Sequence, residues 1–345
     1  MHRRREEKAM AVDILKEYFG LKSERSFMDG NYSRFIRRDK IYTLVGVTDI
    51  KEDVLVELYE MSEHLASEGD RYVSTFYPSK DKKFLVTHED EDFVLLENNI
   101  IEAPKSAKEG RKLARFHARG RSISKQIKAA ASIGEWKNYW EKRLEQIEMV
   151  WVQQMQDQSD VEFHRVFVES FPYYLGLCEN AIQYLVDTEL DEEPYEYDTG
   201  TVCHERFYKG AWGSEVWIHN PFDWVFDHSS RDIAEWIRDQ YFKNKRTFQP
   251  EIQGFLKDYQ TVTPLSPFSM RLIFARLLFP LHYFTCVEEY YLVGGESSRF
   301  QLEDQIRGIV RQAKDYEVFL KHFYEMAEVP ARRLNIPEIE WLGRP

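Results

Sequence analysis

The sequence predicts an α+β protein with two lobes, a small one rich in antiparallel strand and a large helical one. Three observations carry this. The hydrophobic period changes near residue 100, from strand-like runs such as "KFLVTHE" and "DFVLLEN" to apolar residues at steps of three and four. At 345 residues the chain is too long for one simple core. Its 43% hydrophobic content, with 15% aromatics, is ample for burial and excludes a disordered chain.

The expected organisation is an N-terminal helix and extension at 1–25, a small lobe at 26–104 and a helical lobe at 105–345. Residues 9–20, "AMAVDILKEYFG", read as a short amphipathic helix ending at Gly20. Residues 32–47 hold two extended runs joined at Arg38 and Asp39, a hairpin. In 53–67, Leu55, Leu58, Met61 and Leu65 fall on one helical face. Three strand-like runs follow, separated by turn residues at 78–81 and 89–91.

Beyond residue 105 the texture is helical. Residues 106–120 place Leu113, Phe116 and His117 on one face and close at Gly120. Residues 135–155 carry Trp136, Trp140, Leu144, Ile147 and Trp151 at helical spacing. Pro172 is expected to break the next helix. An acidic loop at 190–200 and a strand-like "SEVWIHN" at 214–220 come next. Four further helical blocks fill 249–327, the third kinked at Pro280. No internal repeat is present.

A formal charge of −12 argues against nucleic acid as a partner. The opening "MHRRREEK" reads as a solvated terminus. Cys178, Cys203 and Cys286 are far apart and form no CxxC pair, which fits a reducing compartment and argues against zinc or a disulfide framework. The N-terminus lacks the apolar stretch of a signal peptide. The most apolar segment, 277–287, is too short to span a bilayer. The expectation is a protein without a membrane partner, cytoplasmic at synthesis.

Residues 201–213, "TVCHERFYKGAWG", bring a short apolar approach to a histidine and a polar loop, the way catalytic loops are often presented. Yet Arg206 stands where a carboxylate base is wanted. His219, Asp227 and His228 are close in sequence, but their spacing matches no standard metal set, and they read as hydrogen-bonding loop residues. His282 reads as a core histidine, and the 20 tyrosines as helix-packing content.

The order of several short motifs carries a resemblance across residues 25–325. "EGRKLARFHARG" resembles the helix that opens the large lobe of aminoglycoside phosphotransferase and choline kinase relatives. "VCHERFYKGAWG" resembles their catalytic loop, and "HNPFDWVFDHSSRDIAEWI" their metal-binding segment and the helix after it. Within that superfamily the chain resembles the CotS group of endospore coat proteins, and in it the YutH type. The resemblance implies a protein-kinase-like two-lobe fold, with a catalytic loop at 201–224.

Measured against that pattern, the chemistry is depleted. Phosphoryl transfer wants a lysine on the nucleotide phosphates, an aspartate at the acceptor hydroxyl, and oxygen ligands for magnesium. In the resemblance the lysine position is Val45, with Lys40 and Lys51 off phase. Glu57 or Glu60 would be that lysine's partner, or are plain solvated glutamates. The aspartate position is Arg206, after His204 and Glu205, and the magnesium-binding asparagine is Ala211. An arginine accepts no proton and repels a divalent cation. Glu205 stays open as a substitute base. Asp223 falls on the second magnesium ligand, or is a turn residue after Pro221. Asp232 matches the aspartate that supports the loop histidine, so His204 and Asp232 are expected as a structural pair. Of a glycine-rich phosphate loop only Gly30 remains.

The expectation is therefore a catalytically degenerate kinase-fold protein. It would be a structural or interaction component of the spore coat, with other coat proteins as partners and no cofactor. A vestigial small-molecule or nucleotide ligand stays open. The alternative is an active atypical kinase for a sugar, aminoglycoside or choline-like substrate, using ATP and magnesium.

Overall fold

The strand-like runs of the first hundred residues build one antiparallel sheet. The computed structural model describes residues 2–29, 32–103, 108–156, 161–213, 216–244, 247–292, 295–339 and 341–342. Its contacts divide it into two units, Met1–Ala131 with Thr201–Phe226, and Ser132–Gly200 with Asp227–Pro345. The change of period read near residue 100 coincides with the end of the last sheet strand at Asn99, whereas the contacts group the next helix and residues 201–226 with the sheet.

In the first unit, α1 (His2–Phe19) precedes β1 (Arg25–Asp29), β2 (Tyr32–Arg37) and β3 (Lys40–Gly46), and α2 (Glu52–Ser67) leads to β4 (Thr75–Tyr77), β5 (Leu85–His88) and β6 (Glu91–Asn99). The sheet order is β1-β2-β3-β6-β4, with β5 pairing the part of β6 nearest the turn. The expected hairpin is present, with Arg37 opposite Lys40 and Arg38 in the left-handed region at φ 54°. β1 has no counterpart in the sequence reading. It pairs β2 from Asp29 opposite Tyr32, and Gly30 lies outside the described residues.

Alternation assigns the faces. Tyr42 and Leu44 join Phe35, Phe93 and Leu95 on one side, and Ala11, Ile14, Leu15 and Phe19 of α1 cover them. Thr43 and Val45 point to the other side, opposite Leu96 and Val94. Phe76 stands opposite Leu96 on that same side, and its ring meets Tyr59 of α2 at 5.5 Å. Cover on both faces explains why residues 41–45 are buried without interruption.

The remaining parts of this unit are α3 (Glu109–Arg121), β7 (Thr201–His204) and all but the last residue of β8 (Trp224–Asp227), the two strands forming a small sheet of their own. Gly120 does not end α3, which runs one residue further. A Cβ there would stand 2.6 Å from Thr201 Oγ1 and 2.7 Å from the Val202 nitrogen, so the glycine lets the helix lie against β7. The strand expected at 214–220 is reduced to isolated bridges, Val216 with Glu102 and His219 with Val73, and residues 214 and 215 lie outside the described residues.

The second unit is helical: α4 (Trp136–Gln156), α5 (Glu162–Asp191), α6 (Ser230–Lys243), α7 (Phe248–Gln260), α8 (Pro267–Leu278), α9 (Leu281–Leu292), α10 (Glu296–Arg311), α11 (Ala313–Lys321) and α12 (Phe323–Met326). Two expectations fail here. α5 continues through Pro172. A proline leaves the carbonyl four residues back without its usual N–H. That carbonyl belongs to Val168, and the Trp151 indole N–H donates to it at 3.1 Å. Pro280 does not kink a helix; it separates α8 from α9, and six helices rather than four blocks fill 248–326.

Within this unit the acidic loop holds a buried anchor. Asp198 accepts the hydroxyls of Ser266 and Ser269 at 2.8 and 2.5 Å, at the start of α8. No single helix among the described residues is long and apolar enough to cross a membrane.

Candidate functional site

The loop after β7 and the segment entering β8 meet through their backbones, the Glu205 N–H donating to the Asp223 carbonyl at 2.8 Å. His204, the last residue of β7, is buried. Its ring stacks on Phe116 of α3 at 4.9 Å and lies 4.8 Å from Phe207. The Trp212 indole N–H donates to His204 Nε2 at 2.9 Å. The histidine is thus part of an aromatic cluster.

Glu205 and Arg206 are both exposed, and Ala211 is half-buried in the turn that ends at Gly213. Asp223 closes a short helical turn whose first amide, on Phe222, is capped by the Asn220 side chain. Its carboxylate accepts the Tyr32 hydroxyl at 3.0 Å. The carboxyl keeps solvent contact but sits in a crowded setting. Desolvation raises its pKa above the ordinary aspartate value, opposed by the Tyr32 bond and the nearby charges of His204 and Arg34.

Val45 is buried in β3, opposite Val94. Neither lysine near it in sequence replaces it. Lys40 pairs with Glu97, and Lys51 is an exposed residue before α2. Glu57 accepts the backbone N–H groups of Lys128 and Ala130 at 2.9 and 2.7 Å, and Glu60 pairs with Lys125. The reading of both as plain solvated glutamates is corrected: each holds the segment after α3.

Strand phase reveals residues that sequence reasoning missed. Arg34 stands opposite Thr43, so Tyr32 and Arg34 share the sheet face of Thr43 and Val45. Arg34 pairs with Asp29 at 2.9 Å, and its Nε is shut from solvent without a hydrogen-bond partner. Thr43 Oγ1 is likewise buried and unpartnered. The signal was available only after the hairpin register was known.

His219 is a hydrogen-bonding residue, its Nδ1 on Asp70 at 3.2 Å. In the second unit, Asp227 accepts the Trp136 indole at 2.8 Å and Arg231 at 2.8 Å. His228 lies 3.8 Å from Asp198. Asp232 is fully buried in the first turn of α6.

Magnesium wants several oxygen ligands in octahedral array. Along 204–213 and 220–223 the one carboxylate on a magnesium position of the resemblance is Asp223, with an arginine and an alanine at the catalytic and ligand positions.

The family model described as "Spore coat putative kinase YutH" matches residues 12–323. The chain belongs to the YutH family. It is 40% identical over 336 residues to the endospore coat-associated protein YutH of Bacillus subtilis strain 168, covering 97% of this chain and 99% of that one. Among solved structures it is similar to an aminoglycoside phosphotransferase from Alicyclobacillus acidocaldarius, with a TM-score of 0.68 at 15% identity over 90% of this chain and 94% of the other. A spectinomycin phosphotransferase matches with a TM-score of 0.59 at 12% identity, over 87% and 94% of the two chains. These likenesses show that a YutH-family chain has the aminoglycoside phosphotransferase-like kinase fold, as the motif order implied.

Proposed function

We propose that this YutH-family chain is a kinase-fold protein that transfers no phosphate and serves as a structural or interaction component of the endospore coat. The observation that carries the reading is Val45, an apolar side chain packed into the sheet at the position where the resemblance wants the phosphate-binding lysine. Arg206 and Ala211 at the base and metal-ligand positions support it. So does the printed role of the Bacillus subtilis relative, a coat-associated protein. Other coat proteins are then its partners, and no cofactor is required.

Two observations favour an active atypical kinase instead. Asp223 keeps a carboxylate at a metal position, and Arg34 places a cation on the sheet face that lost its lysine. Thermal unfolding with and without ATP and magnesium separates the readings. A ligand at a hundredfold excess over its Kd stabilises the fold by about 2.7 kcal/mol. The coat reading expects no shift; a saturable shift abolished by Asp223→Ala would support the kinase.

A structural role for Asp232 belongs to the same proposal. The residue is fully buried in the first turn of α6, so Asp232→Asn is expected to destabilise the protein by about 1–3 kcal/mol. Unchanged melting of that variant counts against that role.

A further inference from the structure

A second concave site lies wholly within the first unit. Asp70, in the loop after α2, accepts the Tyr72 backbone N–H on Oδ1 at 3.1 Å. Its Oδ2 holds His219 Nδ1 and Arg119, each at 3.2 Å. The carboxylate selects the tautomer with the proton on Nδ1. Nε2 therefore presents a lone pair, and it has no hydrogen-bond partner although the side chain is only 4% exposed. Trp212 and Tyr72 wall the ring at 4.5 and 5.4 Å.

His219 lines a cavity of about 120 Å³, and the cations Arg71, Lys112, Arg115 and Arg119 line it too. Among the described residues, no carboxylate pairs with Arg71, Lys112 or Arg115. The volume is well below the roughly 300 Å³ at which drug-sized ligands begin to fit, so a nucleotide is excluded. Two costs are left standing. A buried nitrogen lacks a partner, and Arg71, Lys112 and Arg115 stand without a carboxylate beside the Asp70–Arg119 pair, which also lines the cavity. A water would relieve the first but not the second.

We propose that this cavity binds a small oxyanion of the phosphate class. Hydrogen phosphate answers both costs at once. Its P–OH donates to His219 Nε2, and its charged oxygens accept from the guanidinium and ammonium groups. The built geometry, an Asp70-oriented imidazole behind a cationic rim, owes nothing to the loop at 204–211.

The test is thermal unfolding of the full chain as inorganic phosphate replaces chloride at constant ionic strength. Wild type is expected to gain melting temperature with phosphate. Lys112→Glu with Arg115→Glu changes residues that reach solvent, so the fold is retained. That pair is expected to weaken the apparent Kd by about tenfold or more, the loss of two charge-assisted contacts. Lys82→Glu with Lys83→Glu makes the same change of charge outside the cavity and is expected to respond as wild type. O-Phosphoserine, whose dianion carries no P–OH to donate, is expected to raise the melting temperature less than inorganic phosphate does; an equal or larger rise overturns the His219 contact. No rise in wild type, or an equal rise in the Lys112 and Arg115 variant, overturns it.

Discussion

The Trp212 indole donates its N–H to His204 Nε2 at 2.9 Å, while the same imidazole stacks on Phe116. The bond occupies the ring's lone pair, and the stack removes the ring from water. The histidine that a catalytic loop would deliver is here a packing element joining β7, α3 and the 207–212 turn. Trp212→Phe keeps most of the ring volume and removes the donor. It is expected to destabilise the protein by about 1–3 kcal/mol, the cost of an unpaired buried acceptor. Trp212→Ala, which also opens a cavity, should cost about 3–5 kcal/mol. Chemical denaturation of both variants measures the difference, and wild-type stability in Trp212→Phe would show that the hydrogen bond contributes nothing.

A second relation can be tested by a double-mutant cycle. Trp151 supplies the N–H that Pro172 withholds from the Val168 carbonyl. In wild type, Pro172→Ala adds a backbone N–H where the carbonyl is already satisfied. In a Trp151→Phe background the same change satisfies an orphaned carbonyl. Pro172→Ala is therefore expected to be more stabilising in the Trp151→Phe protein, by about 0.5–3 kcal/mol of coupling. Strict additivity would mean that Trp151 does not stand in for the missing donor.

These two cases show where the sequence is legible. Elements whose signal is local read correctly: the hairpin turn at Arg38, α2 with Leu58, Met61 and Leu65 buried, and α4 with its tryptophan stripe. Pro172 misleads because its remedy comes from another helix, 21 positions earlier, and no local rule contains it. The site divides in the same way. Val45, Arg206 and Ala211 are visible because a motif order fixes their places. Tyr32 and Arg34 are not, since their facing depends on strand register. The partnership of Asp70 with His219 joins residues 149 positions apart.

In the second unit, Glu235 of α6 is buried between Arg238 and Arg276, at 2.7 and 2.9 Å. Burial pushes its carboxyl up, but the two guanidinium groups outweigh burial and hold it at about 2, below the ordinary 4.5. The folded pKa is depressed, so the stabilisation is present above about pH 4.5. It is lost as the pH falls toward 2, where the unfolded chain takes the proton first. Glu235→Gln is expected to cost about 3–5 kcal/mol at neutral pH, because both arginines lose their counter-charge. The gap between wild type and variant should narrow as the pH drops below 4.5. A gap that stays constant through that window would show that Glu235 is not charged in the fold.

The proposed loss of phosphotransferase chemistry rests on three positions, and the strongest test restores all three. Val45 leaves the phosphates without a lysine, Arg206 leaves the acceptor without a base, and Ala211 removes a metal ligand. A neighbour could cover one such loss, whereas covering three requires a rebuilt site. Arg206 also puts a positive charge where Mg·ATP needs a carboxylate, so nucleotide affinity should be weak. In β3 a lysine at 45 can lay its methylenes where the valine packs and carry its ammonium outward. Tyr32 and Arg34 already offer polar neighbours on that face. Val45→Lys with Arg206→Asp and Ala211→Asn is therefore expected to bind ATP with magnesium at least about tenfold more tightly than wild type, the scale of one charge-assisted contact. Calorimetric titration of both proteins reads this directly. Wild type should show no release of phosphate from ATP above a buffer control. If wild type instead transfers phosphate at a rate that Asp223→Ala abolishes, the degenerate reading is wrong and Asp223 is a working metal ligand.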